Sequence, residues 1–169
     1  LVCQITRQHQ LMLSSSLIEY GNIDLHSLKE IVQAIPLSEW TYRTDPESYE
    51  TLAIRESDKA FPKDGIQKVL DAVNIYLPAG YQNRVVLSCV PAGKSILPHT
   101  DDFGEAVRSK SSHYHIPLIT DLSVMMGIEG VEYHLKEGFL YQLDETKEHY
   151  VTNPSNIDRI HLLFAHFPH

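Results

Sequence analysis

From residue 84 onward the chain consists of eight short apolar-rich runs. They are Arg84–Pro91, Ile96–Asp101, His113–Thr120, Ser123–Ile128, Val131–Leu135, Phe139–Leu143, His149–Asn153 and Arg159–Phe167. Each is too short for a stable helix and long enough for a strand. Turn residues separate most of them: Ala92-Gly93, Asp121, Glu129-Gly130, Glu137-Gly138 and Asn153-Pro154-Ser155-Asn156. Gly, Asn and Pro reverse a chain within a few residues, so such runs pair antiparallel. The pattern predicts a mainly β fold, a double-stranded β-helix (a jelly roll of the cupin kind) with its core over about 84–167.

Upstream the texture changes. Leu25, Leu28, Ile31, Val32 and Ile35 recur at helical spacing after Asp24, a candidate N-cap, and before Pro36. Ile66, Val69, Leu70, Val73 and Leu77 repeat the design over Gly65–Leu77, with Asp64 as cap and Pro78 and Gly80 as stop. Two helices packed on the outside of one sheet are expected. Between them, Trp40–Ile54 is aromatic and β-rich, and reads as one or two strands with a loop.

The length of 169 residues predicts one domain, 1–169, and 43% apolar residues suffice for a core. A net charge of −8 without a basic run argues against a nucleic-acid partner. Cys3 and Cys89 form no CxxC pair, and Cys89 sits in an apolar run as a small buried residue. Without a disulfide framework, a reducing compartment, the cytoplasm, is expected. No apolar stretch is long enough for a bilayer, and no signal-peptide pattern opens the sequence.

Ten histidines make chance pairings common. His99 and Asp101 stand two apart on a predicted strand, where i and i+2 share a face and can reach one ion. His149 opens another predicted strand. Two histidines and a carboxylate form the facial ligand set of a non-haem iron(II) site, which leaves positions for a cosubstrate and oxygen. The plain alternative makes His99 and Asp101 surface residues at a strand end. Arg159 begins the last run; an inward arginine there needs an anion, and a dicarboxylate would suit its planar fork. Alternatively it lies at a solvated strand end beside Asp158. A competing set is His113, His115 and His149, as in a non-oxidative cupin-type metal or ligand-binding module, although no glutamate follows His115 at the expected distance. His134, His161 and His166 have no partner at ligand spacing and read as structural.

Together these segments resemble the aspartyl/asparaginyl β-hydroxylase family of Fe(II)/2-oxoglutarate-dependent oxygenases. The likeness covers roughly 84–167 and rests on Leu87-Ser88-Cys89-Val90-Pro91-Ala92-Gly93 leading to Pro98-His99, on His113-Tyr114-His115-Ile116-Pro117-Leu118, and on Glu148-His149 with Arg159-Ile160-His161-Leu162-Leu163-Phe164. The resemblance implies His99 and His149 as iron ligands. Asp101 falls where many related oxygenases carry the carboxylate ligand, although the animal member naming the family has glycine there. It further implies Arg159 and Ser88 at the distal carboxylate of 2-oxoglutarate, and His115 near that cosubstrate's metal-bound end. For Ser88 a buried hydroxyl bonded to backbone is the alternative.

His113 stands where the family has an arginine, a departure at the second cosubstrate contact. The charged, serine-rich segment Asp102–Ser112 is longer than in the family and could be a lid or a disordered loop. The implied activity is hydroxylation of an aliphatic carbon, with 2-oxoglutarate and O2 as cosubstrates and no side-chain acid or base required. Trp40, Arg43 and Arg55 are candidate substrate contacts, the arginines for a substrate carboxylate; surface or packing roles are their alternative. A small molecule, an amino acid or a peptide side chain is the expected partner.

Overall fold

The computed structural model describes residues 11–36, 39–45, 49–55, 63–101 and 110–169; the side chains of 41–45 and 49–55 are not described. Among the described residues there are twelve strands and two helices. In chain order they are β1 (Leu11–Ser14), β2 (Leu17–Asn22), α1 (His26–Gln33), β3 (Thr41–Asp45), β4 (Tyr49–Arg55), α2 (Lys63–Val73), β5 (Gly80–Val90), β6 (Ser95–His99), β7 (Ser112–Ile119), β8 (Met125–Ile128), β9 (Val131–Tyr133), β10 (Phe139–Leu143), β11 (His149–Thr152) and β12 (Arg159–Pro168). All eight sequence runs are strands.

The runs divide between two sheets. β10, β7, β12 and β5 are neighbours in the larger sheet, which β1 and β2 extend at one edge and β4 and β3 at the other. The smaller sheet runs β6-β11-β8-β9. Every described pairing is antiparallel. This is the expected jelly roll. The β8–β9 hairpin turns on Glu129 and Gly130 alone, at φ 51° and 79°. A two-residue hairpin with both central residues left-handed matches the sheet's twist, and glycine meets that demand without a Cβ clash.

Several boundaries differ from expectation. The first jelly-roll strand starts at Gly80 rather than Arg84, with Arg84 at φ 51° in a bulge opposite β12. β6 ends at His99, so Asp101 lies just past the strand rather than on it. Helix α1 starts at His26 with Leu25 in the cap position; the Asp24 carboxylate accepts the His26 N–H from one residue further out. Helix α2 starts at Lys63 and ends at Val73, which places Asp64 in its first turn. β1 and β2 fall in a stretch for which the sequence predicted no element. There Leu17 and Glu19 are both buried, so the inward face of β2 alternates apolar with charged.

Two apolar clusters sit on opposite sides of the larger sheet. Leu28 and Val32 of α1 and Ile66, Val69, Leu70 and Val73 of α2 pack with Leu87, Ile116 and Leu162 from the sheet's outer face. Ile31, expected on the buried stripe of α1, is exposed. The helices approach closely because Gly65 has no side chain; a Cβ there would stand 3.2 Å from Leu28 Cδ1. Each fully buried leucine contributes about 1.5–3 kcal/mol by leaving water. The second cluster lies between the sheets and includes Leu17, Val90, Met126, Ile128, Tyr141 and Val151. Among the described residues no helix is long and apolar enough to cross a membrane.

Candidate functional site

The register between β6 and β11 places His149 directly opposite His99. Residues fifty apart in sequence thereby become cross-strand neighbours, with ring centroids 4.3 Å apart. In each ring Nδ1 donates to a backbone carbonyl two residues back, at 2.8 Å to Leu97 for His99 and 2.9 Å to Lys147 for His149. Those bonds select the tautomer that carries the lone pair on Nε2, the atom that would ligate a metal. Asp101 completes the group: its Oδ1 lies 3.9 Å from His99 Nε2 and its Oδ2 3.9 Å from His149 Nε2. The three ligand atoms lie within 4.8 Å of one another. Asp101 is not held by strand periodicity. Its N–H donates to the Glu145 carbonyl at 2.9 Å, which ties the end of β6 to the β10–β11 turn. Two imidazoles and a carboxylate could hold Fe(II) and leave coordination positions open.

On β12 alternate residues divide between the two faces of the sheet. Ile160, Leu162 and Phe164 belong to the helix-side cluster. Arg159 and His161 occupy the opposite face and are 3% and 2% exposed. The solvated-end alternative for Arg159 does not hold: the residue is buried, and the Asp158 carboxylate accepts the Ala92 N–H instead. Among the described residues no carboxylate pairs with Arg159. Its Nη2 donates to His161 Nδ1 at 2.8 Å, while its buried Nε has no partner. Burial pushes the guanidinium down to about 9, so it remains a cation at neutral pH. Burial, and then the neighbouring Arg159 charge, hold His161 well below the usual histidine range, so it is neutral. Arg159 and His161 line a cavity of about 10 Å³ with Thr120, Met125, Leu135 and Val151, room for a single water. Ser88 is buried directly opposite His161 in the β5–β12 register, on this same face. A buried guanidinium with an unused N–H fits a carboxylate ligand.

His113 and His115 also point away from the helices, but neither joins His149 in a metal site. They close on Glu145, with His113 Nδ1 2.8 Å from Oε2 and His115 Nε2 2.7 Å from Oε1. The cupin-type set of His113, His115 and His149 is therefore not assembled; His149 faces His99 and Asp101 instead. Burial raises the Glu145 carboxyl, but hydrogen bonds from the two histidines outweigh it and hold the group well below the carboxylate range. Burial lowers His115 despite the Glu145 hydrogen bond and charge. Sequence reasoning passed over Glu145. The available signal was parity: Tyr141 and Leu143 of β10 are inward, and residue 145 continues that alternation into the turn. Asp144 shapes the turn by accepting from the Thr146 N–H and hydroxyl.

Of the substrate candidates, the described residues show the side chain of Trp40 alone. Trp40 is buried in the helix-side cluster, where its ring serves packing. Arg43 and Arg55 lie on the paired strands β3 and β4, with side chains outside the described residues. Of Asp102–Ser112, residues 102–109 are outside the description too, as is Cys3. Cys89 is the buried thiol expected, pushed up to about 12 by burial. His134 and His166 stay outside the ligand group.

The family model for aspartyl/asparaginyl β-hydroxylase matches residues 50–168. No curated protein sequence matches the chain. Among solved structures, a Pseudomonas putida prolyl-4-hydroxylase is similar at 14% identity and TM-score 0.61, over 91% of this chain and 93% of that one. A viral collagen prolyl hydroxylase from Paramecium Bursaria Chlorella virus-1, solved with 2-oxoglutarate, is similar at 11% identity and TM-score 0.61, over 92% and 98%. A 2OG-Fe(II) oxygenase family oxidoreductase from Burkholderia pseudomallei follows at 10% identity and TM-score 0.59, over 91% and 85%. At these identities the likeness establishes the shared fold.

Proposed function

This chain belongs to the aspartyl/asparaginyl β-hydroxylase family and is an Fe(II)- and 2-oxoglutarate-dependent hydroxylase; we propose that it acts on an aliphatic carbon of an amino acid, an amino-acid-like small molecule or an Asp/Asn side chain. In this reading residues 1–169 work as one oxygenase domain. His99, Asp101 and His149 hold the iron, and Arg159 with Ser88 takes the distal carboxylate of 2-oxoglutarate. His115 stands near its metal-bound end. The observation that carries the reading is Arg159, a buried cation without a carboxylate partner among the described residues, on the inward face of the barrel that bears the histidine–aspartate group. A module that only bound metal would have no use for it.

When bound, iron and 2-oxoglutarate supply oxidative decarboxylation: one O2 atom enters succinate, with release of carbon dioxide, and the other enters the substrate C–H bond. The chain's own residues bind and orient. His99 and His149 present Nε2 because Leu97 and Lys147 carbonyls hold Nδ1–H. Arg159 offers its buried Nε–H to an anion. No side chain must move a proton. Arg43 and Arg55 remain the candidates for a substrate carboxylate.

Anaerobic addition of Fe(II) and 2-oxoglutarate should produce a weak visible charge-transfer band. Folded protein that shows neither this band nor uncoupled succinate release would refute the oxygenase reading. Succinate release screened against free amino acids and Asp- or Asn-containing peptides identifies the substrate class. Stimulation only by compounds outside those classes would overturn the substrate proposal alone.

A further inference from the structure

We propose that His161 is the positioning residue for Arg159: its neutral ring accepts one guanidinium N–H and aims the remaining donors at the distal carboxylate of the cosubstrate. This deepens the oxygenase reading and rests on it. An arginine side chain has four rotatable bonds before its planar fork, and a bidentate contact requires that plane to be held. In many buried arginines a carboxylate does the holding. Here a carboxylate would neutralise the cation that the anion needs. A neutral imidazole acceptor avoids this, because it takes a hydrogen bond without bringing a charge.

The geometry meets each requirement. Arg159 Nη2 lies 2.8 Å from His161 Nδ1, and both residues are almost fully buried. An arginine has no acceptor, so the bond fixes the His161 tautomer: Nδ1 carries the lone pair and Nε2 the hydrogen. The His161 ring is itself braced edge-on by His115, with centroids 6.0 Å apart and planes at 89°. Arg159 Nε stays buried and unpartnered. Both side chains line the same small cavity. Ser88, opposite His161 in register, puts a hydroxyl on the same face.

The test is calorimetric binding of 2-oxoglutarate to protein loaded with Mn(II), beside binding of pyruvate, which has the same metal-chelating end and no distal carboxylate. His161→Phe keeps a ring and removes the acceptor. It should weaken 2-oxoglutarate binding about tenfold or more, leave pyruvate and Mn(II) binding within about twofold of the parent, and raise KM for 2-oxoglutarate more than it lowers kcat. His161→Gln, which retains an acceptor, should recover most of the loss. If His161→Phe does not fold, His161→Leu is read in the same way.

Equal loss of 2-oxoglutarate, pyruvate and Mn(II) binding, alongside a lower melting temperature, would make His161 a packing residue and overturn the inference. Unchanged 2-oxoglutarate binding in the variant overturns it too. Should the parent protein bind no 2-oxoglutarate with Mn(II) present, the oxygenase reading itself fails first.

Discussion

The two faces of β5, β7 and β12 are both buried where the sheet is covered, yet they differ in kind. Toward the helices, β5, β7 and β12 present Leu87, Ile116 and Leu162, each fully buried. Toward the other sheet the same strands present Ser88, His115, Arg159 and His161, exposed by no more than 6%. Solvent exposure alone would class both as core. The apolar face is complete in itself, since its atoms need only close packing. The polar face contains buried nitrogens at Arg159 and His115 that lack partners, a costly state unless a ligand completes it. One face holds the molecule together, and the other is the face to which the proposed function assigns the cosubstrate.

Substitutions can break that division. The largest effect should come from Asp101→Ala: iron binding weakens and succinate release falls to background, while urea unfolding is little changed. A large loss of stability there would mean that Asp101 belongs to the scaffold. Next, Arg159→Ala should raise the 2-oxoglutarate requirement on the order of 100-fold, with metal affinity nearly intact in a metal titration. If metal affinity collapses instead, its role is wrong. From the outer face, Leu162→Ala should cost about 2–5 kcal/mol in urea unfolding. The protein that stays folded should bind 2-oxoglutarate with parental affinity. Coupled loss of affinity would show that the two faces are not independent.

The smallest effect is graded with pH. His115 and His161 titrate lower when folded than the ordinary 6.5, chiefly through burial. Below that value the unfolded chain therefore binds more protons than the native one, so stability is full above about 6.5 and falls as pH drops. Glu145 is also held low when folded, and its contribution is lost as pH falls below the ordinary carboxyl value of 4.5. Melting temperature should thus decline in two stages, and Glu145→Gln should diminish the second. A flat profile between pH 7 and 5 would deny the buried neutral histidines.

Much of this was legible in the chain before folding. The eight runs became eight strands because short apolar segments bounded by turn residues have few other outcomes. The faces of β12 could be read from alternation, and His99, Asp101 and His149 emerge as one group. What misled had local causes. β2 escaped notice because Glu19 interrupts its buried face, where the Tyr141 hydroxyl and the Lys136 ammonium, more than a hundred residues away, accommodate it. Trp40 reads as a binding aromatic in isolation and is a core residue in context.

Local pattern was enough for the eight jelly-roll strands, the two helices, the alternating faces of β12 and the availability of a two-histidine, one-carboxylate set. These follow from backbone periodicity and turn chemistry, which act over a few residues. Only the tertiary structure decided that His149 stands opposite His99, that Glu145 occupies His113 and His115, and that His161 braces Arg159. The first depends on strand register and the second on where a turn lands; for the third, i and i+2 spacing made the meeting possible without saying what else would compete. Such outcomes come from packing the whole chain, and no local pattern contains them.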